Sequence, residues 1–268
     1  MTRTALIFGY GHIGKAFADA VRAQGFTIVA TARDPIKREA LKADGVTAID
    51  PANCDSIAAD VILITAAPTD DGCPAFPLLG GTKASWIGYL STTGVYGDRN
   101  GGWVFEESAL VPTSAEARRR VAAEAQWLRT GAHIFRLPGL YGPGRNVIER
   151  LKEGTATRVH KPGHVFSRLY HDDCAAALLA SIRRPRSGGI YNLCDDEPAS
   201  AEAVLLFACE VTGMPVPPKT PVTPSMARFY ADNKRVSNAR AKAELGWLPT
   251  YPTYREGLRA IYAQSQSV

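Results

Sequence analysis

The sequence predicts an α/β fold in which helices cover both faces of a doubly wound parallel sheet, followed by a small interleaved C-terminal cap. Two observations carry this prediction. Apolar, strand-like runs alternate with helix-like segments through the first 142 residues, as they do when each strand is buried on both faces. A glycine cluster, FGYGHIGKAF, lies between the first run and the first helical segment.

The elements of the first half follow in order. Helix-like segments cover 12–24, 37–45 and 113–129, and the intervening apolar runs are 4–9, 26–32, 46–50, 60–68, 85–92 and 133–139. Between Pro68 and Ser85 an α/β unit would normally place a full helix, but prolines and glycines interrupt the segment. We therefore predict a short or broken helix there.

The pattern changes after Gly142, where prolines and glycines become frequent. Helices are predicted near 147–153, 172–184, 200–212, 238–245 and 253–264, with strand candidates at 164–170 and 188–194. We predict a cofactor-binding domain over 1–145 and an interleaved C-terminal portion over 146–268, in which 164–194 returns to the first domain.

Composition excludes several classes of protein. Apolar residues make up 46% and charged residues 21%, which is typical of a folded globular chain. No apolar run approaches the about 18 residues that span a bilayer, and the first apolar run is too short for a secretory signal. Five scattered cysteines without a CxxC pair predict a reduced, cytoplasmic protein with no metal site. The net charge is a modest +5, and basic residues cluster only at 118–120 and 183–186, without aromatic residues between them. Nucleic-acid binding is therefore not expected.

The glycine cluster has the spacing of a dinucleotide-binding loop. Gly9, Gly11 and Gly14 form G-x-G-x-x-G directly after a strand and at the start of a helix. Such glycines allow a tight turn, the approach of a pyrophosphate to the helix N-terminus, and close helix–sheet packing. With His12 and Ile13 between them, they predict a Rossmann-type cofactor site.

The end of the second strand favours NADP, with NAD as the alternative. An acidic residue there would bind the ribose 2′-hydroxyl of NAD, whereas an arginine suits the 2′-phosphate of NADP. Thr31 or Ala32 stands at the likely acidic position and Arg33 follows. Asp34 is expected to cap the next helix, with Pro35 at its first position.

Five further motifs resemble the short-chain dehydrogenase/reductase superfamily, and within it the extended, nucleoside-diphosphate-sugar epimerase/dehydratase branch. The resemblance covers almost the whole chain. The motifs are YLSTTGVYGD (89–98), RLPGLYGPGR (136–145), SRLYHDD (167–173), IYNLCDDEP (190–198) and NKRVSNARAKAELGW (233–247).

The resemblance implies roles for individual positions. Thr92 matches the residue that hydrogen-bonds a substrate oxygen, and Arg145 and Asn146 match a loop that often meets the substrate. His171 is expected to be a hydrogen-bonded structural histidine, and Asp173 to cap its helix. The cofactor-lining positions implied by the resemblance are Ala66, Ala67, Pro68, Pro138 and Gly139.

The helix at 113–129 departs from the usual pattern. In this superfamily it carries a Tyr-x-x-x-Lys pair followed by a glutamate four residues later. Counted back from Glu124, Arg120 stands at the lysine position and Glu116 at the tyrosine position. The resemblance is therefore to atypical members, and from spacing alone Glu116 and Arg120 would form an exposed ion pair.

Two functions follow as hypotheses. The first is an NAD(P)-dependent oxidoreductase or epimerase acting on a sugar nucleotide or similar polar metabolite, with Thr92 orienting the substrate and Glu116, Tyr96 or water moving the proton. The second is a non-catalytic NADP-binding sensor of redox state or of a metabolite. Members of the superfamily often dimerise by pairing the helix at 113–129 with its copy, which implies a homodimer. Three consecutive arginines on this helix, Arg118–Arg120, oppose such pairing, so a monomer is the alternative.

Overall fold

The computed structural model describes residues 3–266. The strands, in chain order, are β1 (Arg3–Phe8), β2 (Phe26–Thr31), β3 (Thr47–Ile49), β4 (Val61–Ile64), β5 (Trp86–Thr92), β6 (Trp103–Val104), β7 (His133–Leu137), β8 (Gly139–Tyr141), β9 (Arg158–Val159), β10 (Arg168–Tyr170), β11 (Ile190–Asn192), β12 (Lys219–Thr220) and β13 (Arg235–Val236). The helices are α1 (His12–Arg22), α2 (Pro35–Ala43), α3 (Phe76–Leu79), α4 (Ala115–Leu128), α5 (Val147–Lys152), α6 (His171–Arg183), α7 (Ala201–Thr212), α8 (Ala239–Leu245) and α9 (Tyr254–Gln266).

The central sheet confirms the predicted fold class. It has seven strands in the order β11-β7-β5-β4-β1-β2-β3. Every neighbouring pair is parallel. The strand order reverses between β1 and β4, and in sheets of this kind the crevice at the carboxyl ends of those strands is where ligands bind.

Helices cover both faces of the sheet. On one face α1 packs through Phe17 and Val21, together with α6 and α8. On the other face α4 packs through Ala123 and Trp127, beside the short α3. The segment between Pro68 and Ser85 holds only this four-residue α3, which confirms the predicted short helix.

The C-terminal portion contributes to the sheet and builds a core of its own. Leu205 of α7 and Tyr254 and Leu258 of α9 pack with Tyr141 in a separate apolar cluster that forms the cap. Of the segment predicted to return to the sheet, β11 joins it, whereas β10 pairs with β8 in a separate two-stranded ribbon. The domain boundary at residue 145 stays a prediction.

None of the helices within residues 3–266 combines the length and apolar character needed to cross a membrane.

Candidate functional site

The glycine loop is held tightly under the start of α1. Gly9 has φ +93°, and its N–H donates to Thr31 Oγ1 at 3.0 Å. Thr65 Oγ1 donates to Gly9 O at 2.7 Å, so a Cβ at residue 9 would stand 2.7 Å from that hydroxyl. A Cβ on Gly14 would lie 3.0 Å from Gly9 O. Both positions therefore require glycine, one for its backbone conformation and one for close packing.

The N-terminus of α1 is open for an anion. Gly11 is the residue before the helix, no side chain caps it, and its first turn contains no acidic residue. Nothing lies within 4 Å of a Cβ built on Gly11. The side chain of Ile13 is buried in the core, so only its backbone faces the loop. These free N–H groups and the open space above them fit the pyrophosphate of a dinucleotide.

At the end of β2, Thr31 has a structural role that the sequence did not predict. Its buried hydroxyl accepts the Gly9 N–H and thus fixes the glycine loop. Arg33 is exposed just beyond the strand. Arg38 Nη1, which sequence reasoning missed, donates to Ala32 O and Arg33 O at 2.7 and 2.9 Å and so anchors this turn. Asp34 accepts from Ile36 N and caps α2, as predicted.

The remaining predicted cofactor positions line the same edge of the sheet. Ala66 follows β4 and its backbone N lies 3.5 Å from a Cβ built on Gly9, with Ala67 exposed and Pro68 buried beyond it. Farther along the edge, Thr92 at the end of β5 is in register with Leu137 at the end of β7. Pro138 and Gly139 directly follow Leu137. The structure therefore brings Thr92 beside them.

Thr92 is placed to donate a hydrogen bond. It caps the 3₁₀ turn Thr93–Tyr96, and its Oγ1 accepts the N–H of Gly94 at 3.1 Å. Because the hydroxyl is the acceptor in that bond, its own proton is available to another group.

Glu116 is exposed in the first turn of α4. Its neighbour Ala117 packs over Gly94, with 3.7 Å between the Ala117 Cβ and a Cβ built on Gly94.

The predicted ion pair between Glu116 and Arg120 is wrong. Arg120 turns inward, and its Nη1 donates to Leu90 O at 2.6 Å, Tyr89 OH at 3.1 Å and Ala66 O at 3.3 Å. Carbonyl groups near the ends of β4 and β5 bind Arg120 in preference to the exposed Glu116 carboxylate. They are shielded from water, whereas an exposed ion pair four residues apart on a helix contributes little to stability. Arg120 thus ties α4 to the sheet edge beside the cofactor positions.

A buried ion pair lies behind this edge. Arg136 Nη2 is 2.8 Å from Glu124 Oε2, and the two side chains are 3% and 2% exposed. Ser91 Oγ donates to Glu124 Oε1. Burial alone would lower the pKa of Arg136, but the Glu124 carboxylate raises it above its usual value.

Tyr96 belongs to the same buried network. Its hydroxyl donates to Asn192 Oδ1 at 2.8 Å and accepts from Arg136 Nη1 at 2.9 Å. The side chain is completely buried, and burial raises the pKa of the phenol. The structure therefore places this candidate proton donor inside the network and away from the open crevice.

His12 and His171 form a stacked pair over the glycine loop. Their ring centroids are 5.3 Å apart with an interplanar angle of 16°. Burial, together with charge repulsion from His12 and Arg145, lowers the pKa of His171 to about 4. Its Nε2 has no hydrogen-bond partner in the described part of the chain, so the expectation of a fully hydrogen-bonded histidine is wrong.

The expectation for Asp173 needs correction, whereas that for Asn146 stays a prediction. Asp173 does not cap α6, because its carboxylate accepts the N–H groups of Thr250 and Tyr251 at 2.6 and 3.0 Å. Asn146, expected to meet the substrate, also caps α5 by accepting from Glu149 N and donates to Gly142 O. Both side chains organise backbone around the site.

The structure of a conserved protein of unknown function from Silicibacter pomeroyi DSS is similar to this one along its whole length. The two chains are 41% identical, the match covers 98% of this chain and 99% of that one, and the TM-score is 0.91. This chain belongs to that protein's family. Its fold is that of the NAD-dependent epimerase/dehydratase-like proteins: a human epimerase family protein with NADPH superposes with a TM-score of 0.82 at 14% identity, covering 97% of this chain and 99% of that one.

Comparisons of sequence agree with this fold. The family model described as NADP oxidoreductase, coenzyme F420-dependent, matches residues 3–71 of this chain. A 3-diazoavenalumate denitrifying reductase from Streptomyces sp. is 30% identical over 172 residues, which make up 59% of this chain and 53% of that protein. The chain therefore spans about half the length of this curated relative.

Sequence reasoning missed two residues of the site, Arg38 and Arg136, and misplaced the side chain of Arg120. Each of the three fixes a turn or a strand end that borders the crevice. Nothing in the neighbouring sequence indicates these contacts. A hint for Arg136 was available in Glu124, because a glutamate on a helix that packs against a sheet needs a basic partner when it is buried.

Proposed function

We propose that the protein is an NAD(P)-dependent enzyme of the reductase or epimerase type, which prefers NADP and acts on a small-molecule substrate between the glycine loop and the cap. The observation that carries this proposal is the open, uncapped N-terminus of α1 at the strand-order reversal, with Thr92 on the same sheet edge. The soluble composition and the five buried, unpaired cysteines support a cytoplasmic location.

The cofactor would be held mostly by backbone groups, with the exposed side chain of Arg33 at the 2′-phosphate. A nicotinamide dinucleotide supplies a hydride acceptor or donor when bound. The N–H groups at the start of α1 would take the pyrophosphate, and the sheet edge would support the rest of the molecule. The residues proposed for this role are Gly9, Gly11, His12, Ile13, Gly14, Thr31, Arg33, Ala66, Ala67, Pro68, Pro138 and Gly139.

Thr92 is proposed to orient the reacting oxygen of the substrate, because its hydroxyl proton is uncommitted. Glu116, whose side chain is exposed in the first turn of α4, is proposed to act as the base. Where the reaction requires an acid, water is the proposed source, because Tyr96 is enclosed in the buried network.

We expect Thr92→Ala to reduce turnover by about 10²- to 10⁴-fold, because it removes a positioned hydrogen-bond donor at the reacting oxygen. Thr92→Ser keeps the hydroxyl and should retain most of the activity. The measurement is NADPH oxidation over a substrate panel that includes sugar nucleotides. Equal rates for Thr92→Ala and the unmodified protein would contradict the proposed role.

Arg33→Ala is expected to weaken NADPH binding by about tenfold or more, because an arginine-to-phosphate contact is a charge-assisted hydrogen bond. NADH, which lacks the 2′-phosphate, should bind almost as before. Titrations of both cofactors followed by tryptophan fluorescence measure the two dissociation constants. Equal losses for NADPH and NADH would show that Arg33 does not read the 2′-phosphate.

The substrate class and assembly state are proposed from the resemblance. A sugar nucleotide or similar polar metabolite is the class it implies, and pairing of α4 with its copy would give a homodimer. The side chains of Arg118 and Arg119 lie on this helix with partial or full exposure, and their like charges oppose such pairing. A monomer is therefore the alternative state.

A second candidate function is a non-catalytic NADP-binding sensor. The burial of Tyr96 favours it, because that phenol is withdrawn from the crevice and the residue at the usual tyrosine position is the exposed Glu116. A sensor must bind the two redox forms with different affinities. Distinct dissociation constants for NADPH and NADP⁺ without turnover on the panel would favour the sensor, and turnover would favour the enzyme.

A further inference from the structure

Two adjoining cavities of about 390 and 220 Å³ lie in the C-terminal portion of the fold, beside the ribbon of β8 and β10. The larger is bounded by α5, β10, α7 and the 226–230 segment, and the smaller continues toward Tyr141 and α9. Both are lined by Val147, Arg150, Arg168 and Val204. A single ligand can therefore extend from one into the other past the two arginines.

The wall of the larger cavity is mostly apolar. Phe166, Val204, Leu205, Met226 and Phe229 line it. Its neutral polar side chains within the described chain are those of Thr157 and Tyr230 alone. A wall of this kind suits a flat or aliphatic body, and it offers few partners for the several hydroxyl groups of a sugar.

The charges on the walls have one sign. Arg150 and Arg168 face both cavities and Arg145 faces the smaller one, while no aspartate or glutamate of residues 3–266 lines either. Arg168 Nη1 donates to Phe166 O and Ala199 O at 2.8 and 2.9 Å, which fixes its guanidinium at the wall. Burial lowers the pKa of Arg168, so its charge is held in a partly desolvated place.

The nearest acidic group does not neutralise this charge. Asp195 lies behind Arg168 and is 2% exposed, and neither carboxylate oxygen has a hydrogen-bond partner in the described chain. Burial raises the pKa of Asp195 to about 8, against the opposing effect of Arg168. Neither Asp195 oxygen pairs with the Arg168 guanidinium, so this half-buried cation has no hydrogen-bonded anion in the described chain. An anionic ligand could take that place.

We infer that these cavities bind a compact organic acid, whose carboxylate is held by Arg150 and Arg168 and whose apolar or aromatic body lies against Phe166, Val204 and Phe229. This inference rests on the proposed function, because it assigns the substrate class of the same enzyme. A diphosphate is the other anion that two arginines could hold, and the experiment separates the two.

The test is a calorimetric titration of the NADPH-saturated full chain with benzoate, trans-cinnamate and hexanoate, each beside its primary amide, and with UDP-glucose. At least one acid should bind, with its neutral amide at least about tenfold weaker. Arg168→Met and Arg150→Met should each weaken that acid by about tenfold. Arg129→Met, an exposed arginine at the far end of α4, is the matched control and should change nothing.

Three results would overturn the inference. They are binding of none of the acids, equal binding of an acid and its amide, and acid binding that is unchanged in both variants. Binding of UDP-glucose alone, weakened by both variants, would assign the arginines to a diphosphate and overturn the organic acid. Because Arg150 is exposed, Arg150→Met keeps the test valid even where Arg168→Met fails to fold.

A parallel NADPH titration separates this inference from the proposed function. Normal NADPH binding with failure of the acids overturns the substrate class alone. Loss of NADPH binding in the unmodified protein overturns the proposed function, and with it the substrate assignment.

Discussion

Arg136→Met is expected to lower the free energy of unfolding by about 3–5 kcal/mol. The substitution leaves the Glu124 carboxylate buried without its cation, since the two side chains are 3% and 2% exposed. It also removes the hydrogen bond from Arg136 Nη1 to Tyr96 OH. Urea denaturation followed by circular dichroism measures the loss.

Two controls identify the cause. The double variant Glu124→Leu with Arg136→Met removes both charges and should recover much of the lost stability, because the carboxylate is then no longer stranded. Lys42→Met breaks an exposed ion pair with Glu39 and should change stability by less than about 1 kcal/mol. An Arg136→Met protein as stable as the unmodified one would show that this pair does not hold the sheet edge to α4.

Gly11→Ala is expected to weaken NADPH binding by roughly 100-fold, which corresponds to about 2.7 kcal/mol. The added Cβ would enter the space through which the pyrophosphate approaches the start of α1. The folded chain itself should tolerate it, because nothing lies within 4 Å of that Cβ and the Gly11 backbone is extended, with φ −104°. Fluorescence titration with NADPH measures the affinity.

Gly81→Ala is the matched control. Gly81 also has open space around its Cβ position, and it lies between α3 and β5. Both variants should unfold at nearly the same urea concentration as the unmodified protein, and only Gly11→Ala should lose cofactor affinity. Full NADPH affinity in Gly11→Ala would place the cofactor elsewhere and remove the basis of the proposed function.

The parts that sequence reasoning predicted depend on local interactions. The turn at Gly9 and the cap of Asp34 on α2 are decided within a few residues. The short α3 follows from prolines and glycines in its own segment. The parallel sheet follows from strands whose apolar runs cannot be exposed on either face. In each case the signal and its cause lie in the same stretch of chain.

The parts that it missed depend on partners far along the chain. Arg120 is bound by carbonyls 30 and 54 residues earlier, and Asp173 by N–H groups 77 and 78 residues later. Spacing on a helix offered an adjacent partner for Arg120, and a position near a helix start offered a local one for Asp173. Only the assembled fold shows that distant, buried backbone groups bind these two side chains in preference to the local partners.

The place of β11 in the sheet has a consequence for how the chain folds during synthesis. β11 pairs with β7 at one end of the sheet, and α6 and α8 cover the neighbouring face. Until residues 190–192 leave the ribosome, β7 is an unpaired edge with its apolar side chains uncovered, a surface prone to pair with other chains. Leu245 and Trp247 close the same core still later. The nascent chain therefore cannot complete its seven-stranded sheet before the C-terminal portion has emerged, and we expect the two halves of the sequence to fold as one cooperative unit.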